Sequence, residues 1–352
     1  MSSEPSARSR PRAATRTDVA RYAGVSTAVV SFVVNGGPKP VSEATRRRVL
    51  DAVAHLGYRP NRTARALSLG STKTLGLVVS DTTNPFFAEY TLQLQRAAAE
   101  LGYALLMTAG GPGPDAELRS MLDLCDRQID GLIVARATAI GRLEELLRHG
   151  AQPPVVVIDA AAPVSGYAAV GPDAADGMAT VVGHLLDVHH HRSVSLIMGD
   201  DVEPATDGRE TGWRLAHAHS GRDIGALARV AFTRDGGYQA GLDLLQRTDR
   251  PTAVVTSSDL QAIGLLLATR DLHLRVPEDL AVASFDGTEE TRYAAPPLTT
   301  VRQPIATMAA AAVDQIVHRR PPTHQTFPMD LLIRRSCGCP APDYASAPST
   351  AW

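Results

Sequence analysis

The segment TRTDVARYAGVSTAVVSFVVNG, residues 15 to 36, decides how the amino-terminal end of the chain folds. Its first residues fit a capping box, in which the Thr15 hydroxyl covers a free helix amide while the Asp18 carboxylate reaches back toward the cap. Apolar residues at helical spacing follow as far as Gly24, which breaks this first helix. Residues 26 to 37 carry four valines and a phenylalanine, and by themselves they resemble a buried strand.

Cap and turn residues favour a helix for this valine-rich stretch. Ser26 is an N-cap candidate, so we predict a helix over residues 26 to 34 that ends at the turn Asn35-Gly-Gly-Pro38. A third helix begins after Ser42 and stops at Gly57. Three short helices with a tight turn after the first form a helix-turn-helix unit.

The bulk composition is that of an ordinary soluble protein. The 352 residues are 44% hydrophobic and 20% charged, enough for two or three structural units. No apolar run approaches the ~18 residues of a membrane span, and the arginines near the start precede no apolar stretch of the kind found in a secretory signal. We therefore expect a cytoplasmic protein. Three cysteines in so long a chain do not make a disulfide framework.

Charge is segregated along the chain, although the net charge is only −2. Residues 1 to 73 contain 13 Lys and Arg against four Asp and Glu, a net charge of +9; the remainder contains 22 against 33, a net charge of −11. A basic block of this kind is typical of a nucleic-acid partner, because neutralised phosphates release condensed counterions. Charge alone would also fit a solvated basic tail.

From Leu75 onward, short apolar runs alternate with amphipathic helical patterns. The first series contains LGLVVS, YALLMTA, DGLIVA and VVVIDA; the second, after about Gly171, contains VSLIMG, LARVAF, TAVVTSS and LAVASFD. Such alternation predicts parallel sheets. Two doubly wound lobes of this type would hold a ligand between them, at the carboxyl ends of their strands.

Several segments in a fixed order resemble the LacI/GalR family of bacterial transcription repressors. They are TRTDVARYAGVSTAVVSFVVNG (15–36), VSEATRRRVLDAVAHLGYRPNRTARAL (41–67) and LGLVVSDTTNPFFAE (75–89), followed by PTAVVTSSDLQAIG, RVPEDLAVASFD and PPLTTVRQP. The resemblance covers about residues 14 to 340. It implies a DNA-binding headpiece, a hinge helix and a core like the periplasmic sugar-binding proteins, acting as a homodimer.

The expected fold is an all-α helix-turn-helix headpiece joined to an α/β core of two doubly wound parallel-sheet lobes, of the periplasmic-binding-protein-like type I. The expected segments are a disordered tail (1–13), the headpiece (14–60), a hinge helix and linker (61–72), the core (73–340) and a flexible tail (341–352). Within the core, we expect an N-lobe of about 73–171 and 304–332 and a C-lobe of about 172–303 and 333–340.

In this family the second headpiece helix lies in the major groove, and the resemblance implies that Thr27, Ala28 and Phe32 face the bases. The commoner pattern has an arginine where Phe32 stands. Direct readout would therefore depend on hydrogen bonding by Thr27 and on apolar contact by Ala28 and Phe32. The alternative is that Phe32 belongs to the headpiece core, although three other residues already supply an inner stripe: Val29, Val30 and Val33.

Further DNA contacts, mainly to phosphates, are expected from polar and basic side chains: Thr17, Ser26, Ser31, Asn35, Tyr58, Asn61, Arg46, Arg47, Arg48 and Arg62. The segment NRTARAL (61–67), with Ala64 at its centre, resembles the family's hinge helix. Its leucine, here Leu67, would wedge between base pairs in the minor groove and kink the duplex. A helix this short is unstable by itself, so its folding would depend on DNA and on the core.

The resemblance also implies a set of ligand-binding residues at matching positions in the cleft: Asp81, Asn84, Phe86, Phe87, Asp159, Arg209, Trp213, Phe232, Ser258, Asp259, Asp286 and Gln303. Carboxylates and a guanidinium can each bind adjacent hydroxyls, and aromatic faces cover the apolar side of a sugar ring, so the set suits a polyol. Each acidic residue alone would also fit a helix cap or a surface salt bridge. Two departures from the family pattern, Ser258 for asparagine and Gly287 for aspartate, leave a larger or less hydroxylated ligand open.

Other signals predict no cofactor, metal or catalytic site. The loop AGGPGPD (109–115) lacks phosphate-loop spacing, and its prolines have no amide hydrogen to donate, so a connecting turn is expected. The histidine run at 189–191, with His184 nearby, has no acidic or cysteine ligand spaced to complete a tetrahedron. Cys337-Gly-Cys339 likewise lacks a second ligand pair in sequence. No motif of a known catalytic constellation is present in the sequence.

Together, these patterns predict a transcription regulator that is not an enzyme: a repressor that binds a palindromic operator as a homodimer. A sugar or sugar derivative in the cleft would control DNA affinity by favouring one lobe arrangement. Two other classes remain open. A transport-type sugar-binding protein is opposed by the missing signal peptide and the basic headpiece, and an architectural DNA-bending protein would carry only a vestigial pocket.

Overall fold

The computed structural model describes residues 14–35, 40–59, 66, 70–111, 114–135, 140–148, 150, 153–160, 163–164, 166–200 and 207–340. The chain divides into two compact units, residues 1–72 and 73–352. The expected tails, 1–13 and 341–352, and most of the expected hinge lie outside the described residues. No helix in the described part of the chain is both long and apolar enough to cross a membrane.

The described residues of the first unit form α1 (Arg16–Ala23), α2 (Thr27–Asn35) and α3 (Glu43–Leu56), which confirms the three predicted helices. The capping box is present: the Thr15 hydroxyl accepts from the Asp18 amide at 3.3 Å, and the Asp18 carboxylate accepts from the Thr15 amide at 2.9 Å. Gly24 and Gly57 follow α1 and α3 with φ of +65° and +60°, a conformation that costs glycine nothing.

A small apolar core joins the three helices. Val19, Val30 and Val49, one from each helix, are fully buried. Val34, at helical spacing from Val30, packs against this core. The sequence pattern assigns this position in the inner stripe to Val29 instead. Val29 is only half-buried, because it lies about 100° round the helix from Val30.

The second unit contains the two lobes. The N-lobe begins with β1 (Thr74–Val79), α4 (Pro85–Glu100), β2 (Ala104–Ala109), α5 (Pro114–Asp126), β3 (Gly131–Ala135), α6 (Ile140–Arg148), β4 (Val155–Ile158) and β5 (Ala168–Pro172). The C-lobe follows with α7 (Ala174–Gly183), a π-helical turn (His184–Val188), β6 (Ser195–Gly199), α8 (Gly208–Ser220), β7 (Leu227–Val230), α9 (Arg234–Leu245), β8 (Ala253–Thr256), α10 (Asp259–Asp271), β9 (Ala281–Asp286), α11 (Glu290–Tyr293) and β10 (Thr299–Arg302). The chain returns to the N-lobe with α12 (Ile305–Val317) and β11 (His324–Phe327), and then adds β12 (Asp330–Leu332) and a 3-10 turn (Arg335–Cys337).

Each lobe is built on a six-stranded sheet. The N-lobe order is β11-β5-β4-β3-β1-β2, and every neighbouring pair is parallel. The C-lobe order is β12-β10-β9-β8-β6-β7, in which only the β10–β12 pair is antiparallel. Strands such as β3 and β9 are buried along their whole length because helices cover both faces of each sheet. This confirms the predicted pair of doubly wound lobes.

One predicted boundary needs correction. The sequence pattern keeps residues 304–332 in the N-lobe, whereas β12 pairs with β10 in the C-lobe sheet, with Thr300 opposite Leu332. The chain therefore changes lobes between Phe327 and Asp330. A strand of three residues is too short for its apolar periodicity to reveal which sheet it joins.

Candidate DNA-binding surface and ligand cleft

The outer face of α2 is the candidate DNA-reading surface. Thr27 and Ala28, in its first turn, are exposed, and Phe32 is half-buried one turn further on. Ser26 caps the helix, since its hydroxyl accepts from the Val29 amide at 3.3 Å. Part of the Phe32 ring is thus accessible for apolar contact, and base reading by this face stays a prediction.

The polar residues expected at phosphates differ in their surroundings. Thr17 and Asn35 are exposed. The Asn35 amide group donates to the Ser31 hydroxyl at 3.2 Å, so these two side chains hold each other in place. Tyr58 packs against the headpiece core, which leaves its hydroxyl as the group that could reach a phosphate.

Basic side chains cover the surface of α3. Arg46 and Arg48 are exposed, and Arg47 lies 3.6 Å from the Glu43 carboxylate with both side chains largely exposed. Such a pair contributes little stability and can be exchanged for a phosphate contact. The hinge residues expected to contact DNA lie outside the described residues, and their roles stay predictions: Asn61, Arg62, Ala64 and Leu67.

Arg209, at the start of α8, is the centre of a charge network in the core. Its Nε and Nη2 donate to the two Asp207 carboxylate oxygens at 3.1 and 2.9 Å, and its Nη1 donates to the Ser257 carbonyl at 3.2 Å. The rings of Phe232 and Phe285 lie 5.0 and 5.5 Å from the guanidinium. The guanidinium is therefore held in one orientation by hydrogen bonds and by aromatic faces.

Carboxylates from both lobes act on this cation. Burial opposes the charge of Arg209, but the surrounding carboxylates, Asp207 foremost, together outweigh burial and raise the pKa of Arg209 above its ordinary value. Asp159, which follows β4 of the N-lobe, and Asp286, which ends β9 of the C-lobe, act in the same direction. The predicted residues Asp159, Arg209 and Asp286 thus share one electrostatic environment, at the carboxyl ends of strands from both lobes.

Asp286 has an unusual backbone and a perturbed carboxylate. Its φ is +106° and its exposure 6%, a strained conformation for a residue other than glycine and one that is often found at functional sites. Burial and the nearby Asp259 charge hold the pKa of Asp286 well above its ordinary value. Gln303 donates its amide hydrogen to Asp286 Oδ1 at 2.9 Å, so these two predicted residues do meet.

Two buried polar atoms beside these carboxylates have no hydrogen-bond partner in the described structure: Tyr90 Oη and Gln303 Oε1. Burial, together with the charge of Asp159, raises the pKa of Tyr90 well above its ordinary value, so its phenol stays neutral. Leaving such an atom unsatisfied costs about 1–3 kcal/mol, which a ligand hydroxyl would recover. The sequence prediction omits Tyr90, although a tyrosine within an otherwise apolar helix stripe is a usable signal.

Asp259 has a role different from the predicted one. Its carboxylate accepts from the Ser284 hydroxyl at 2.6 Å, from the Thr288 amide and hydroxyl at 2.7 and 2.8 Å, and from the Thr300 hydroxyl at 3.4 Å. These four donors fill the acceptor sites of a carboxylate. Asp259 therefore fixes the turn after β9 and has no free site for a ligand hydroxyl.

Three predicted aromatic residues belong to the lobe cores. Trp213 is 1% exposed, and its Nε1 donates to the Val194 carbonyl at 2.7 Å. Phe86 and Phe87 pack with Tyr90 in the N-lobe core. This corrects the expectation that Trp213 covers a sugar ring, because its helix turns it toward the C-lobe sheet, a direction that a motif match does not reveal. Phe86 contacts both Phe87 and Tyr90, and ligand contact by Phe86 and Phe87 stays a prediction.

Phe232 is the predicted aromatic residue that reaches the Arg209 guanidinium. It follows β7 and is half-buried. Gly199, at the end of the neighbouring strand β6, makes room for it, since a Cβ there would lie only 1.8 Å from the Phe232 ring. No side chain larger than hydrogen is compatible with this ring position.

Three polar residues of the predicted set are engaged locally. Asp81 accepts from the Thr83 amide and hydroxyl at 2.8 and 2.7 Å. Asn84 and Ser258 are the N-caps of α4 and α10. These are the cap and turn roles that the sequence allows for such residues, and ligand contact by the three stays a prediction.

The histidine and cysteine motifs meet in space. His184, His189, Cys337 and Cys339 bring four ligand atoms within 4.8 Å of one another. The fold therefore brings two histidines to the Cys337-Gly-Cys339 pair, which the sequence alone leaves without a second candidate ligand pair. The two histidines come from a segment about 150 residues earlier, as the positions of His189 and Cys339 show.

The fold and these sites define a class: a DNA-binding regulator with a helix-turn-helix headpiece and a two-lobed ligand-binding core. The family profile for bacterial regulatory proteins of the lacI family matches residues 15–61, and the periplasmic binding protein-like domain matches residues 182–337. The ribose operon repressor of Escherichia coli (strain K12) is 33% identical over 309 residues, 87% of this chain and 93% of that protein. Catabolite control protein A of Priestia megaterium is 31% identical over 84% of this chain and 89% of its own length. The chain therefore belongs to the lacI family of bacterial regulatory proteins.

Solved structures agree with this assignment. The lac repressor dimer bound to operator and the anti-inducer ONPF is similar with a TM-score of 0.83 and 25% identity, over 93% of this chain and 99% of that one. The complex of the transcriptional regulator CelR with cellobiose gives a TM-score of 0.67 and 30% identity, over 93% and 100% of the two chains. This chain is thus a DNA-binding transcription regulator with the two-lobed core of its family.

Proposed function

We propose that this protein is a cytoplasmic repressor, without catalytic activity, that binds a palindromic operator as a homodimer and responds to a sugar or another polyol in the core cleft. The observation that carries the ligand class is the pair of unpartnered buried atoms, Tyr90 Oη and Gln303 Oε1, beside the carboxylates Asp159 and Asp286. Hydroxyl groups both donate and accept, so a polyol can satisfy all four side chains. Relatives named for ribose and cellobiose support the same chemistry.

The core also carries a surface suited to a second copy of the chain. A groove of about 1320 Å³ runs along α4, α9 and α10, lined by apolar side chains such as Leu266 and Leu267. Its lining also includes charges of both signs, among them Glu89 and Arg270. A surface with both signs can complement itself across a two-fold axis, as an isologous dimer requires. Palindromic half-sites follow from that symmetry.

The test begins with a duplex selected from a random library for binding to the full chain. We expect a palindrome of roughly 14 to 20 base pairs, and one sugar among ribose, cellobiose and related polyols should change operator affinity. Arg209→Ala should leave operator affinity unchanged and abolish this response, because the variant removes the fixed cation of the cleft. Arg214→Ala, on the same helix but paired with Glu210 and 54% exposed, is the matched control.

Two results would contradict the proposal. Coating of duplexes without sequence preference would favour an architectural DNA-bending protein. A wild-type response that persists in Arg209→Ala would place the ligand elsewhere.

A further inference from the structure

We propose that His184, His189, Cys337 and Cys339 form a structural zinc site in the C-lobe. The two histidines follow α7, and the two cysteines lie at the carboxyl-terminal end of the described chain. All four contribute one nitrogen or sulfur atom to a single cluster. Two thiolates and two neutral imidazoles are a donor set typical of Zn²⁺, and they balance its charge.

Four of the six distances within the cluster are close to the edges of a tetrahedron. Zn–N bonds of about 2.0–2.1 Å and Zn–S bonds of about 2.3 Å require edges of about 3.3 Å between nitrogens and about 3.6 Å between nitrogen and sulfur. The two Nε2 atoms of His184 and His189 are 3.2 Å apart. The Sγ atoms of Cys337 and Cys339 each lie 3.6 Å from His184 Nε2, and Cys339 Sγ lies 3.3 Å from His189 Nε2. These four edges are within about 0.3 Å of the tetrahedral values.

A π-helical turn makes the histidine pair possible. His189 is the fifth residue after His184, a spacing that places side chains about 140° apart on an α-helix. The segment His184–Val188 is π-helical instead, and hydrogen bonds between residues i and i+5 bring such positions onto one face. The two imidazole rings accordingly meet edge to face with centroids 4.9 Å apart. Single π-helical turns of this kind are frequent at functional sites.

The cysteine pair is oriented by a glycine and by a neighbouring strand. Gly338 has a φ of +103°, and its amide donates to the Arg335 carbonyl at 3.1 Å, so the chain reverses between the two thiols. A Cβ on Gly338 would contact the His189 ring at 3.4 Å. The Thr299 hydroxyl of β10 lies 3.1 Å from Cys337 Sγ, the position of an outer-shell donor to a metal-bound sulfur.

With four protein ligands, the site is closed to substrate and is structural in type. Zinc here would tie the end of the core to the helix pair α7 and α8, of which α8 begins with the Asp207–Arg209 pair. The metal thus holds the last segment of the C-lobe against the element that positions the ligand-binding cation.

The test is the metal content of the full chain, produced without a polyhistidine tag and dialysed against metal-free buffer after addition of zinc chloride. We expect about one zinc per chain for the wild type and less than about one-tenth for Cys339→Ser and His189→Gln. Cys125→Ser and His190→Gln are matched controls that should keep the metal. Cys125 lies in α5 of the other lobe, and His190 is the exposed neighbour of His189.

Cobalt titration of the wild type removes any dependence on the folding of variants. Tetrahedral Co²⁺ with thiolate ligands has intense visible bands and a sulfur-to-metal charge-transfer band, and both should saturate at one equivalent. Three outcomes would overturn the proposal: no bound zinc and no tetrahedral cobalt spectrum, full zinc content in Cys339→Ser, or a Cys337–Cys339 disulfide shown by a mass lower by two hydrogens.

Discussion

Two buried aspartates of the C-lobe illustrate how surroundings assign roles to identical side chains. Asp259 is enclosed by donors from Ser284, Thr288 and Thr300. Asp286 accepts from Gln303, whose second polar atom is unpartnered. Asp259 therefore holds the turn after β9, whereas ligand contact by Asp286 stays a prediction.

The same pair predicts a pH dependence of stability. Burial raises the pKa of Asp259 to about 6, and the pKa of Asp286 is also raised, whereas an unfolded aspartate titrates near 3.8. Between pH 4 and 6 the folded core therefore binds protons that the unfolded chain has released. The free energy of unfolding should fall as pH rises through this window, in which Asp259 titrates, and the raised pKa of Asp286 acts in the same direction.

Urea denaturation of the full chain from pH 4 to 7 tests this, with Asp259→Asn as the variant. The variant should show a shallower slope between pH 4 and 6. Asp279, whose pKa is lowered to about 2 by Arg275, changes stability only below this window and therefore does not confuse the comparison. Equal slopes in the two proteins would contradict the assignment of raised pKa values to the pair.

At the scale of elements, helix caps decide where the headpiece begins. The capping box of α1 satisfies three donors at once: the Thr15 amide, the Thr15 hydroxyl and the Asp18 amide. Thr15→Ala should therefore destabilise α1 by about 1 kcal/mol. Amide hydrogen exchange of α1 in the full chain should then become about five-fold faster, since 1.4 kcal/mol is a factor of ten. Thr17→Ala removes an exposed hydroxyl of the same helix and should leave exchange unchanged; equal acceleration in both variants would show that the cap does not determine the stability of α1.

Caps and periodicity also explain which elements can be predicted from sequence. The helix α2 is predictable despite its valines because Ser26 marks its start, and the alternating strands of the core are predictable because they are continuously apolar. The direction in which a side chain points from its helix or strand is harder to predict, so a motif match does not reveal that Trp213 belongs to the C-lobe core. The proposed four-residue zinc site could not be predicted from the sequence for two reasons. A π turn changes the spacing at which two histidines share a helix face, and the two cysteines are distant in sequence from the two histidines.

At the scale of the whole molecule, positive and negative charge are concentrated in different parts of the chain. The first 73 residues carry a net charge of +9 and the remaining residues one of −11. Phosphate attraction is thus confined to the small amino-terminal unit, while the acidic core is repelled by DNA. We then expect tight binding to a duplex to require two headpieces at once, since a single headpiece with few base-reading side chains would bind DNA only weakly. We therefore expect operator binding to require the association of two cores.

This requirement can be tested with a single side chain in the groove. Leu267 lines the groove and is 40% exposed, and Leu267→Glu would place an unpaired charge in an apolar contact repeated by the two-fold axis. We expect the variant to sediment as a monomer and to lose at least about ten-fold in operator affinity, because linkage of the two heads is lost. Leu215→Glu is the matched control, since Leu215 is 55% exposed on α8 and lies outside the residues that line the groove. A Leu267→Glu protein that remains dimeric would exclude this groove as the interface, and a monomeric variant that binds the operator as tightly as the wild type would show that one head is sufficient.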